Sequence, residues 1–118
     1  MTPAMAAGNS LACNISPGNG NFTQGFCANG VPSFTYTITF QVQGVSGSAS
    51  YSWTPPGGLI ASGCTSTSSS CAVSVTQGRR DKDRVATVVV TQGGTHTTLS
   101  ATAETAAVCA GPFGPVFC

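Results

Sequence analysis

A chain of 118 residues holding four Lys or Arg, three Asp or Glu and one His is only 6% charged, where ordinary globular domains are about 25% charged. That length makes a single domain, and a net charge of +1 supplies no field to attract nucleic acid or an anionic membrane. The scarcity of acids and bases argues against an enzyme, no cofactor is expected, and no apolar run reaches the roughly 20 residues of a membrane-spanning helix.

The opening Met1-Thr2-Pro3-Ala4-Met5-Ala6-Ala7 has neither the charged nor the apolar region of an intact signal peptide. Its Ala4-Met5-Ala6 has the small-x-small form of a cleavage site, so residues 1–7 are expected to be a processing remnant or tag-like leader. The domain proper is read as 8–108, followed by a tail over 109–118.

Six cysteines in a short Ser/Thr/Gly-rich chain indicate a disulfide framework made in an oxidising compartment, hence a secreted or cell-surface protein. Zinc is disfavoured, because no Cys-x2-Cys pair occurs and His96 is the sole imidazole. Sequence proximity favours three local pairs, Cys13–Cys27, Cys64–Cys71 and Cys109–Cys118. A crossed pattern joining Cys13 or Cys27 to Cys109 or Cys118 remains open, since the terminal segments could lie side by side.

Strands follow in chain order. A short first strand is expected over Ser10 to Ile15. From Ser33 to Gln43, Phe34, Tyr36, Ile38, Phe40 and Val42 alternate with Thr and Gln, placing one face on the core and one in water. Gly44 to Gly47 ends that strand. Ala49 to Thr54 alternates again until Pro55-Pro56-Gly57-Gly58, where prolines cannot donate to a ladder. Cys71 to Gln77 points Val73 and Val75 inward. Arg84 to Gln92 is rich in valine, which suits a central strand covered on both faces. Gln92-Gly93-Gly94-Thr95 predicts a tight hairpin, and Thr97 to Glu104 returns with Leu99, Ala101 and Ala103 on one face. No apolar residues recur at helical spacing with caps. The expectation is an all-β, antiparallel sandwich of six to seven strands stapled by three disulfides.

Tyr51-Ser52-Trp53-Thr54-Pro55-Pro56-Gly57-Gly58 and the later Arg84-Val85-Ala86-Thr87-Val88-Val89-Val90-Thr91 resemble the Tyr-x-Trp strand, Pro/Gly turn and valine-threonine strand of bacterial PKD-like and immunoglobulin-like modules of extracellular proteins. The resemblance spans roughly residues 33–104. It implies a seven-stranded sandwich with Trp53 between the sheets, acting as spacer, adhesive unit or accessory binding domain. The family's Gly-Asp-Gly turn is missing, so no acidic site carries over. Neither Phe34–Val42 nor Arg84–Gln92 contains the cysteine of the antibody inter-sheet disulfide, and the tail from Cys109 has no counterpart.

Chemistry-bearing residues are few. His96 reads as an exposed turn residue, short of the oriented base that nucleophilic catalysis requires. Six of the seven formal charges occupy Arg79-Arg80-Asp81-Lys82-Asp83-Arg84, the seventh being Glu104. The bland reading of that run is a solvated connection whose alternating signs discourage edge aggregation. The sharper reading is an interaction patch for a partner or anionic glycan. Calcium at Asp81 and Asp83 is disfavoured by the interleaved cations. In the tail, Phe113 and Phe117 are expected to fold back over the core, or else to form a sticky patch. Tyr51 and Trp53 share one strand face and are read as core; turned outward they would make a platform for a polysaccharide such as chitin or cellulose. Asn14-Ile15-Ser16 and Asn21-Phe22-Thr23 match the glycosylation pattern but are discounted for a chain resembling bacterial modules.

Together these features predict a non-catalytic secreted or cell-surface binding or adhesion module for carbohydrate or a surface partner. The alternatives are a structural subunit that assembles with copies of itself into a filament, surface layer or particle, and a small disulfide-rich inhibitor or toxin-like effector.

Overall fold

The long alternating run makes the strand around which the rest is arranged. In a computed structural model, which describes residues 9–18 and 20–118, β4 (Thr35–Gln43) buries Tyr36, Ile38, Phe40 and Val42 while its Thr and Gln residues face outward. It lies between β1 (Ser10–Ser16) and β7 (Ser70–Thr76), with β2 (Thr23–Gln24) and β6 (Leu59–Gly63) at the edges of this five-stranded sheet. The second sheet orders β3 (Phe26–Ala28), β9 (Thr95–Thr105), β8 (Lys82–Gln92) and β5 (Ser50–Thr54). Every pairing is antiparallel except β3 with β9, which is parallel. The leader expected at 1–7 lies outside the described residues.

The two sheets close over one core. Leu11, Ile15, Tyr36, Ile38, Phe40 and Val73 from the first meet Ala86, Val88, Val90, Ala101 and Ala103 from the second. In the constant-type immunoglobulin arrangement, strands one, two, five and four of seven face strands three, six and seven. Taking β1, β4, β5, β6, β7, β8 and β9 as those seven reproduces this order. Tyr51 and Trp53 are half-buried against the core, and Trp53 Nε1 donates to Ser68 O at 2.9 Å, so neither forms an outward platform.

All three local disulfides are present and no cysteine is free, which removes the crossed pattern. Cys13–Cys27 does more than close a loop. Cys13 lies on β1 and Cys27 on β3, so the bond joins the two sheets. Cys64–Cys71 holds the Ser/Thr loop between β6 and β7. That loop also reaches across to β5, where Tyr51 N–H donates to Ser66 O at 2.9 Å.

Four expectations are corrected. β8 is interior to its sheet but covered on one face only: Ala86, Val88 and Val90 are buried, while Val85 is 48% exposed. The five-stranded sheet covers one side and, among the described residues, nothing covers the other, so the valine run marks high β-propensity rather than double burial. Phe34 precedes β4 and stays 45% exposed. β6 was not foreseen, because all five of its residues are exposed and it bears no burial alternation. Finally, the tail does not cap the core. β10 (Val108–Gly111) and β11 (Gly114–Phe117) pair with each other as a separate two-stranded hairpin, Phe113 at its turn is fully exposed and Phe117 is 42% exposed.

Candidate functional site

The pleat sorts the charged run by sign. Lys82 and Arg84 fall on the inward side of β8, and Asp83 between them faces outward. There Asp83 is the register partner of Glu104 on β9, so all seven formal charges gather at one end of the sandwich. Arg79 and Arg80 lie exposed in the preceding loop. The Asp81 carboxylate accepts the Ala107 N–H at 2.7 Å, a bond that ties the loop to the base of the tail hairpin.

Arg84 is the least solvated of these charges. Its Nε donates to Thr105 Oγ1 at 3.3 Å, and Nη2 donates to Thr76 O at 3.2 Å and Gln77 Oε1 at 3.4 Å. Burial holds its pKa below the ordinary arginine value, although a guanidinium keeps its charge in any protein. Among the described residues no Lys or Arg lies within 4.0 Å of a carboxylate. Arg84 is therefore a half-buried cation whose partners are neutral oxygens. Arg79 to Asp83 are exposed, as a solvated connection would be; the strand starts earlier than expected, at Lys82, and Arg84 spans to the opposite sheet.

A network of two amides, Gln77 buried and Asn29 half-buried, fixes this end. Gln77 Nε2 donates to Arg80 O, Thr105 O and Ala106 O. Asn29 accepts the Ala106 N–H and donates to Tyr36 Oη, which itself donates to Val31 O at 2.6 Å. The buried Gln77 amide needs such partners, and the network holds the β9–β10 connection against the β7–β8 loop. The hairpin β10–β11 springs from that anchor. Val108 is buried and its N–H donates to Gly78 O, whereas the apolar residues beyond Cys109 stand out from the core under the Cys109–Cys118 clasp.

Beside Arg84 an open cleft of about 600 Å³ separates the sheets. β8 contributes Lys82 and Arg84, and β4 and β7 contribute Thr35, Ser74 and Thr76. The connection Gly57–Gly58–Leu59 closes its side. Gly58 has φ +131°, and a Cβ there would meet Ser74 O at 2.8 Å, so a larger residue would strain this wall. Neither Tyr51 nor Trp53 lines the cleft. No carboxylate lines it either; Lys82 and Arg84 are its charged groups, and Leu59 and Val75 add apolar surface.

His96 lies at the opposite end of the sandwich, on β9 beside the hairpin turn, with Nδ1 2.8 Å from Thr91 Oγ1. It is eight residues from Glu104 along the strand, roughly 26 Å at strand rise, so no imidazole meets a carboxylate. Among the described residues no group of three or more His, Cys, Asp or Glu is placed to hold a metal, and Asp81 is committed to Ala107. Asn14 is buried with its amide donating to Asn21 O at 2.9 Å. The sequence had marked the charged run and both Phe residues; it did not mark the cleft, whose lining comes from β4, β7, β8 and the Gly57–Leu59 connection.

Comparison with protein-family models, with curated proteins and with solved structures found no match.

Proposed function

We propose that the chain is a non-catalytic binding module of an extracellular or cell-surface protein, related in kind to the PKD-like and immunoglobulin-like modules its strands resemble. Three disulfides fit an oxidising environment. One observation carries the reading: every formal charge, the cleft and the disulfide-clasped apolar hairpin share one end, while the rest of the surface carries no charged side chain. A clasped loop loses little entropy on binding, and an exposed Phe113 supplies apolar contact that the fold itself does not use.

The test is retention on intact cells, peptidoglycan, chitin and cellulose. Phe113→Ser and the pair Arg79→Ser with Arg80→Ser should each weaken retention, while Thr98→Ser on the neutral outer face should not. Retention on none of these surfaces, or retention indifferent to the charged end, overturns the proposal.

A second reading, a self-assembling structural subunit, draws on β6. It is an edge strand with Leu59 77% and Ile60 60% exposed, and bare edges of that kind template pairing between copies. Light scattering on a size-exclusion column separates the two: a monomer supports the binding module, and large regular assemblies support the subunit.

A further inference from the structure

The geometry of β8 specifies what the charged end would hold. β8 pairs with β9 along its full eleven residues, from Lys82 opposite Thr105 to Gln92 opposite Thr95. On its other side β5 covers only Thr87 to Thr91. The chain leaves β5 at Pro55–Pro56, which have no N–H to give a ladder, and crosses through Gly57–Gly58 to β6 in the other sheet. The β8 edge from Lys82 to Ala86 is thereby left bare. Among the described residues no backbone bond reaches it from outside the β8–β9 ladder. In an antiparallel strand, residues take turns presenting both N–H and C=O to the same neighbour, so this stretch offers a short row of unpaired donors and acceptors.

The side chains along that edge are already sorted for a guest strand. Lys82 and Arg84 line the cleft. Arg84 uses Nε and Nη2 internally, which leaves Nη1 with two donors and no partner among the described residues. Val85 presents an apolar surface on the opposite face of the strand. Asp83 also lies on that face, so no carboxylate of this chain competes for the cleft.

We propose that the bare edge of β8 from Lys82 to Ala86 receives an extended acidic segment of a partner protein as an added strand. Its carboxylates would enter the cleft to meet Lys82 and Arg84, and its alternate apolar side chains would lie over Val85. This rests on the binding-module reading and names the partner for that same end. A polypeptide fits better than a glycan for two reasons. The unpaired groups repeat at the spacing of a backbone, and no aromatic ring lines the cleft to stack a pyranose. Strand addition draws affinity from main-chain bonds and specificity from alternate side chains, and planar guanidinium favours carboxylate.

The probe is an end-blocked, fluorescein-labelled peptide of about seven alternating Glu and Val residues, long enough to cover the bare stretch, read by anisotropy. Saturable binding that weakens with added NaCl is expected. Loss of ladder bonds in an N-methylated peptide of the same sequence should weaken it at least about tenfold, as should Lys82→Glu, an exposed position where folding is not at stake. Slowed amide exchange between Lys82 and Ala86 should accompany binding. The inference is overturned by absence of binding, by N-methylation that changes nothing, or by oligogalacturonate binding where the peptide does not. If the peptide fails while charged-end-dependent retention on cells or wall polymers persists, only this inference falls. If that retention is also absent, the binding-module reading falls with it.

Discussion

Asp83 and Glu104 stand directly opposite each other on β8 and β9, both exposed on the same face. Like charges so placed destabilise a sheet, while an opposite-charge pair adds roughly 0.2–1 kcal/mol. A chain with only three acidic residues thus sets two of them against each other, and the period of the strand obliges it: keeping Lys82 and Arg84 in the cleft forces Asp83 outward. Glu104→Lys should stabilise the fold by about 0.5–1 kcal/mol and raise the melting temperature by about 3 °C, with the gain shrinking at high salt. Thermal melts at low and high NaCl check this; an unchanged or lower midpoint would refute it.

The disulfides should differ in what they stabilise. Cys13–Cys27 joins the sheets and closes a separation of 14 residues, for which chain entropy gives about 3 kcal/mol. Replacing both by Ser should lower stability by about that amount in urea titrations. Replacing Cys109 and Cys118 should cost far less, because the hairpin they clasp stands apart from the core, yet should weaken surface retention. Equal losses from the two pairs would contradict the architecture.

Phe113→Ser should leave the unfolding midpoint within about 0.5 kcal/mol of the parent, as for surface positions generally. A core-capping Phe would instead cost about 3–5 kcal/mol on truncation. The same measurement therefore decides between a projecting hairpin and a folded-back tail.

Arg84 and Lys82 line one cleft but should respond unequally. Arg84→Met keeps the apolar stem and strands the buried Gln77 Oε1, which should cost about 1–3 kcal/mol. Lys82→Met removes an exposed ammonium and should be nearly neutral. Tyr36→Phe should rank with Arg84→Met, because Tyr36 Oη bonds Asn29 Nδ2, the Ser33 N–H and Val31 O. Denaturant midpoints of the three variants test the order.

What local pattern could determine, it did. Period-two alternation marked β4, β5, β7 and β9 to within about two residues. Gly93 and Gly94, at φ +58° and +84°, made the hairpin turn their sequence announces, since both positions need a left-handed backbone. Spacing alone favoured the disulfide pairs that form. These features depend on neighbours a few residues apart, which a sequence displays.

Only the tertiary structure decided the rest. That Cys13 and Cys27 tie two sheets follows from β3 crossing to run parallel with β9, a pairing across more than seventy positions with no local mark. β6 escaped notice because an exposed edge strand has no inner face to imprint on its residues. The charged run read as mixed and self-cancelling until the pleat turned its cations inward and Asp83 out. The cleft beside them exists because β5 ends five residues short of β8. Where a strand stops relative to its neighbour is set by register between distant segments, and register is a property of the assembled sheet.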